Sequence, residues 1–113
     1  MDCLFCRIVA GEIPSRTAYQ DETVYAFHDI APQAPVHILI VPREHLAGLG
    51  DLGEGHAGLL AAIHQAAAAI ARQEGVTESG YRLVVNEGRH AGQTVFHLHY
   101  HLLGGAVLGR FGE

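Results

Sequence analysis

The chain has 113 residues, 49% of them hydrophobic, and a formal net charge of -5. That is enough apolar material for one compact core without disulfides, in a single domain over residues 1–113. Its seven cationic side chains are all arginines, scattered from Arg7 to Arg110, so no basic stripe tracks a nucleic-acid backbone. The first residues lack a basic region followed by an apolar run, and no apolar run reaches membrane-spanning length, so a cytoplasmic chain with no membrane partner is expected.

Taken in order, residues 2–10 predict a short helix with Asp2 as N-cap and Leu4, Phe5, Ile8 and Val9 on one face. Gly11 and Pro14 prevent its continuation. Residues 17–20 and 23–28 predict strands separated by a turn. In the second, Val24 and Ala26 face opposite to Tyr25 and Phe27. Prolines make residues 29–35 a loop. Residues 37–41 are nearly all apolar or β-branched and predict a central strand ending at Pro42.

Residues 43–50 form a loop. Asp51 and Glu54 suggest a capping box opening a long helix that runs to about residue 74. Leu59, Leu60, Ile63, Ala67, Ile70 and Ala71 form its buried face, and Gly75 caps it. Residues 81–86 predict a strand, 87–93 a glycine-containing loop, and 94–103 the last strand. A glycine-rich tail follows. Short antiparallel strands with one long helix and a short N-terminal helix define an α+β chain.

The last strand carries His97-Leu98-His99-Tyr100-His101. Side chains alternate on a strand, at roughly 7 Å between alternate residues, so three imidazoles are expected on one face. Imidazole is a nucleophile, an acid or base, and a metal ligand near neutral pH. The preceding loop adds neutral donors at Asn86, Gln93 and Thr94, and backbone N–H groups of Gly92, Gln93 and Thr94 that suit an anion. Joined to three histidines, that loop reads as a phosphate cradle.

The run from Gly92 to Leu103 resembles the signature of the histidine triad (HIT) superfamily. The resemblance extends upstream through Phe27-His28-Asp29-Ile30 and on to His37 and Pro42. The Leu-Leu-Gly-Gly after the triad resembles the Hint branch of purine nucleoside phosphoramidases. It implies an antiparallel five-stranded sheet and a homodimer with the C-terminal tail near the partner's site. It implies hydrolysis of purine nucleoside phosphoramidates through a covalent nucleotidyl-histidine, with no cofactor for catalysis. His99 would be the nucleophile, oriented by the His97 carbonyl, with His101 and His37 flanking the phosphate. Asn86, Gly92, Gln93 and Thr94 would hold phosphate oxygens, and Asp29 the ribose hydroxyls beside Ile30. Leu4, Phe5, Ile8, Phe27 and Leu39 would form the base pocket.

Cys3-Leu4-Phe5-Cys6 is a C-x-x-C without the preceding strand that a thioredoxin-like role needs, and as a zinc half-site it lacks two ligands. The resemblance supplies them as His45 and His97, implying a structural zinc. His28, His56, His64 and His90 read as surface or edge residues. Three other readings stay open on the sequence. They are a dinucleoside polyphosphate hydrolase, a non-catalytic nucleotide-binding regulatory protein, and an enzyme whose H-x-H-x-H histidines share a catalytic metal.

Overall fold

A computed structural model describes residues 3–110. Helix α1 spans Leu4–Val9. Strands β1 (Thr17–Gln20), β2 (Val24–His28) and β3 (Val36–Pro42) follow. Helix α2 covers Ala57–Gln73, and strands β4 (Tyr81–Val85) and β5 (Tyr100–Gly104) complete the chain. The five strands form one antiparallel sheet in the order β1-β2-β3-β5-β4.

Alternation along the strands gives the sheet two apolar faces. Val24, Ala26, Ile38, Ile40, Tyr100 and Leu102 pack against Ile63, Ala66, Ala67, Ile70 and Ala71 of α2. The opposite face carries Tyr25, Phe27, Leu39 and Val41, covered at one end by Cys3, Phe5 and Ile8 of the α1 region. This is the division expected for the two halves of β2. The small alanines let the α2 backbone lie close to the sheet.

Helix α2 begins later than the capping box suggests. Asp51 accepts from the Ala47 N–H instead, at 2.8 Å, and short 3-10 turns occupy Leu49–Asp51 and Glu54–His56. Leu59 and Leu60 are only partly buried as a result of lying in its first turn. The C-terminus is as expected: Gly75 has φ +73, and Val76 and Gly75 donate to Ala71 and Arg72 carbonyls. That double bond pattern requires a left-handed residue, which glycine supplies without strain. The proposed Asp2 cap of α1 lies outside the described residues. The Cys3 side chain serves as the N-cap, accepting from Cys6 N–H at 3.4 Å.

The last strand is shorter than expected, starting at Tyr100 rather than residue 94. A long-range contact prevents an earlier start: Leu98 N–H donates to the Leu46 carbonyl at 2.6 Å, in the 43–50 loop. The alternation of faces nonetheless continues: Leu98, Tyr100 and Leu102 pack in the core beneath α2, while the His97 and His99 rings meet Phe5 on the opposite face and His99 lies 5.1 Å from His101. The three imidazoles therefore lie on one side, although only His101 belongs to the strand itself.

Candidate active site and metal centre

His99 sits just before β5, and its Nδ1–H donates to the His97 carbonyl at 2.7 Å. A carbonyl only accepts, so the proton is on Nδ1 and Nε2 keeps its lone pair. The Phe5 ring meets His99 edge-on at 5.0 Å, and the imidazole is almost wholly buried. Both contacts fix the ring plane. An oriented ring with a bare nitrogen is a nucleophile held ready.

His101 and His37 are brought together across the β3–β5 pair, in which His101 faces Leu39 and His37 faces Leu103. The His37 Nε2 to His101 Nδ1 distance is 2.9 Å. The Gln33 N–H donates to His37 Nδ1 at 3.0 Å. His37 must therefore carry its proton on Nε2 and donate it to His101 Nδ1, which leaves His101 with Nε2–H. Burial lowers the His37 pKa, and Asp29 opposes the fall. Burial pushes His101 down to about 4, with His99 and then His37 adding to it and Asp29 opposing. The pair is neutral at neutral pH.

Asp29 Oδ2 lies 3.5 Å from His37 Nε2, while Oδ1 accepts from Ala31 N–H. Asp29, His37 and His101 form a group close enough to surround a cation. The Gln33 N–H argues against that role, because it leaves the proton on the His37 nitrogen that a metal would need.

The 86–94 loop differs from the expected cradle. Gly92 and Gln93 spend their N–H groups on the Arg89 and Gly88 carbonyls, closing turns within the loop. The Gln93 side chain is also committed: it accepts from Gly88 N–H and donates to the Ala47 and Val95 carbonyls. Asn86 donates to the Ala91 carbonyl. The expectation of free N–H groups at Gly92 and Gln93 is corrected, because the turns of the loop give each a carbonyl partner within it. Thr94 is exposed at its end, beside the histidines in sequence.

Of the expected base-pocket residues, Phe5, Ile8, Phe27 and Leu39 form one cluster. Leu4 is half exposed, and Ile30 is fully exposed. A cleft of about 660 Å³ opens on the other side of the histidine pair, with His37 and His101 in its wall together with Arg82, Asn86, His90 and Gly92. Of the four histidines expected at the surface or an edge, His90 thus lines the cleft. Arg82 lies outside the motifs and only the pairing of β4 with β5 reveals it, whereas Gln33 falls within the resembling run and its backbone role shows only in the turn before β3.

The ring of the fourth histidine turns toward the cysteines. His97 Nε2–H donates to the Pro42 carbonyl at 2.8 Å, so its Nδ1 lone pair aims at Cys3 Sγ (3.4 Å) and Cys6 Sγ (3.5 Å). His45 Nδ1 lies 3.3 Å from Cys6 Sγ. Burial lowers the His97 pKa, the Pro42 bond opposes this, and His45 and His99 add to the fall. Burial, then the Cys3 hydrogen bond and charge, raise the Cys6 thiol, while the N-terminal charge opposes this. Two thiols and two imidazoles, with ligand atoms all within 4.8 Å, suit a tetrahedral divalent ion. A ligating histidine whose other N–H is held by a carbonyl is the usual arrangement around such an ion. With His97 turned to the cysteines and His99 Nδ1 bound to a carbonyl, the H-x-H-x-H histidines do not converge on a shared metal.

The family model of the HIT domain matches residues 10–107. The chain is 49% identical to a purine nucleoside phosphoramidase of Escherichia coli (strain K12), covering 96% of this chain and 91% of that protein. It is 45% identical to a 14 kDa zinc-binding protein of Brassica juncea, over 92% and 93%. A HIT family hydrolase from Clostridium thermocellum superposes with a TM-score of 0.95 at 51% identity, covering 99% of this chain and 97% of that one.

Proposed function

The chain belongs to the HIT domain family and is a hydrolase of that family; from that premise we propose that it hydrolyses purine nucleoside phosphoramidates through a nucleotidyl-His99 intermediate. One observation carries this reading: the 2.7 Å bond from His99 Nδ1–H to the His97 carbonyl, which leaves Nε2 bare. The identity to a purine nucleoside phosphoramidase supports the choice of substrate class.

In the first step His99 Nε2 forms a bond to the α-phosphorus as the P–N bond to the amine breaks. The departing nitrogen needs one proton, and His101 Nε2–H delivers it. The free pair is neutral, so that proton arrives with the substrate: the phosphate's negative charge favours protonation of the His37–His101 pair. Positive charge left on the His99 ring is shared with the His97 carbonyl through Nδ1–H. In the second step water attacks phosphorus, its proton passes to the now neutral His101, and the P–Nε2 bond breaks to release a nucleoside monophosphate. Splitting the displacement in two lowers each barrier.

Thr94 and Asn86 would hold phosphate oxygens beside Gly92 and Gln93, which shape the loop. Asp29, next to the exposed Ile30, would accept from the ribose hydroxyls. Phe5, Ile8, Phe27 and Leu39, with Leu4 at the rim, would receive the base. Cys3, Cys6, His45 and His97 would hold a structural zinc, tying α1 to the segment that presents His99. The free edge of β4 supports a homodimer in which two sheets join. No described helix is long and apolar enough to cross a membrane, and a single domain working in the cytoplasm is part of the proposal.

The test is mass spectrometry of protein quenched within milliseconds of mixing with an adenosine phosphoramidate. A nucleotide mass on His99 is expected. Turnover without any such adduct, or turnover retained by His99→Ala, would overturn the reading.

A further inference from the structure

The geometry points to an energetic link between the cysteine–histidine centre and the nucleotide site. A divalent ion held by Cys3, Cys6, His45 and His97 raises the affinity for a nucleoside monophosphate, and the nucleotide raises the affinity for the ion. Helix α1 and His97 carry the link, with Phe5 as the contact to His99. This rests on the proposed nucleotide and metal readings and goes beyond both.

His97 belongs to both sites. Its buried ring aims Nδ1 at Cys3 Sγ and Cys6 Sγ, at 3.4 and 3.5 Å. Its carbonyl accepts from His99 Nδ1–H at 2.7 Å and so sets the plane of the nucleophile. The same ring donates from Nε2 to the Pro42 carbonyl at 2.8 Å. The His45 ring lies 5.0 Å from that of His97, and the next carbonyl along, that of Leu46, accepts from Leu98 N–H. The segment that presents His99 is thus gripped by the residues that surround the ligand cluster.

Phe5 is the second shared residue. It stands between Cys3 and Cys6 in sequence and is buried. Its ring lies 5.0 Å from His99, 6.1 Å from His97 and 5.5 Å from Phe27. Helix α1 has only six residues, too few to persist through its own hydrogen bonds. Its position depends on what it packs against: Phe5 and Ile8 in the apolar cluster, and the two thiols against His45 and His97. An ion bonded to both sulfurs favours the docked helix, because only that arrangement supplies all four ligands. A nucleotide favours the same arrangement, because only there does Phe5 press on His99 and complete the cluster that receives the base. Two ligands that select one conformation strengthen each other's binding by equal factors.

The experiment measures both directions of the link in reduced protein, with zinc and adenosine monophosphate as probes. Calorimetry is expected to show the nucleotide bound about tenfold more tightly by zinc-loaded than by chelator-stripped protein, within the usual range for coupled sites. Competition with a chromophoric chelator is expected to show zinc held more tightly by the same factor when the nucleotide is saturating. Phe5→Leu keeps α1 apolar but loses the ring contact with His99, and is expected to cut both factors to less than half. Circular dichroism of stripped wild-type protein is expected to keep the folded signal. Loss of that signal, or factors that keep more than half their size in Phe5→Leu, would overturn the assigned route, since global unfolding would then account for the link. Equal nucleotide affinity with and without zinc would overturn the inference and leave the phosphoramidase reading intact. Zinc uptake well below one per chain would overturn the inference together with the metal centre. No binding of adenosine monophosphate in either form would overturn the inference and the nucleotide site together.

Discussion

His37 Nε2 donates to His101 Nδ1 at 2.9 Å, and the donation is set by a backbone group, the N–H of Gln33, two links back. The chain Gln33 to His37 to His101 fixes the tautomer of a residue on β5 from a turn before β3. His37→Leu removes the middle link, and His101 then loses its enforced Nε2–H. A fall in kcat of about a hundredfold is expected, the lower range for a positioned acid, with little change in KM. Steady-state kinetics check it, and His37→Gln, which keeps an N–H donor, should recover part of the loss.

The same pair makes stability depend on pH. His101 titrates at about 4 when folded, against roughly 6.5 in an unfolded chain. Between those values the unfolded state binds a proton that the folded state refuses. Stability should therefore be full above pH 6.5, fall as pH drops toward 4, and gain no further loss from this group below that. His37 shifts in the same direction. Urea unfolding of reduced, metal-stripped protein over this range measures the slope, and His101→Asn should flatten it. An equally steep profile in the variant would show that other groups are responsible.

Zinc should be found at about one per chain, held by Cys3, Cys6, His45 and His97. The bond from His97 Nε2–H to Pro42 already aims Nδ1 at the cysteines, so little rearrangement is required. Stripping the metal, or Cys6→Ser, is expected to lower the melting temperature by about 10 °C or more. Metal analysis of untagged protein and calorimetry check this. A metal content well below one per chain, with no change on chelation, would remove the site.

Much of this was legible in the sequence because it is local. The phase of Val24 and Ala26 against Tyr25 and Phe27, the apolar run of β3 and the Gly75 cap are all set by neighbours within a few residues. The histidine motif marked the site for the same reason. What escaped depends on distant partners. Leu46 accepts from Leu98 N–H and shortens the last strand. Pro42 and the cysteines turn the His97 ring out of the triad. The Gly92 and Gln93 N–H groups turn inward because the 88–93 loop closes on itself, a choice that glycines and polar residues permit but do not dictate. Arg82 joins the site only through strand pairing, which no motif encodes.

The loop holding Asn86 is braced by Glu87, whose carboxylate accepts from Leu49 N–H at 2.7 Å. A Cβ on Gly48 would collide with Glu87 Oε1, so Gly48→Ala must push that carboxylate aside and break the bond. The backbone at Gly48 is extended (φ -178), and any residue can adopt it. The cost is thus the bond alone, about 1 kcal/mol at this exposed position. Glu87→Ala removes the same bond and should cost about the same. Because the two changes destroy one interaction, the double variant should be no less stable than either single variant, a clear departure from additivity. Urea denaturation of the four proteins measures the cycle. Costs that simply add would show that Gly48 is required for something other than room for Glu87.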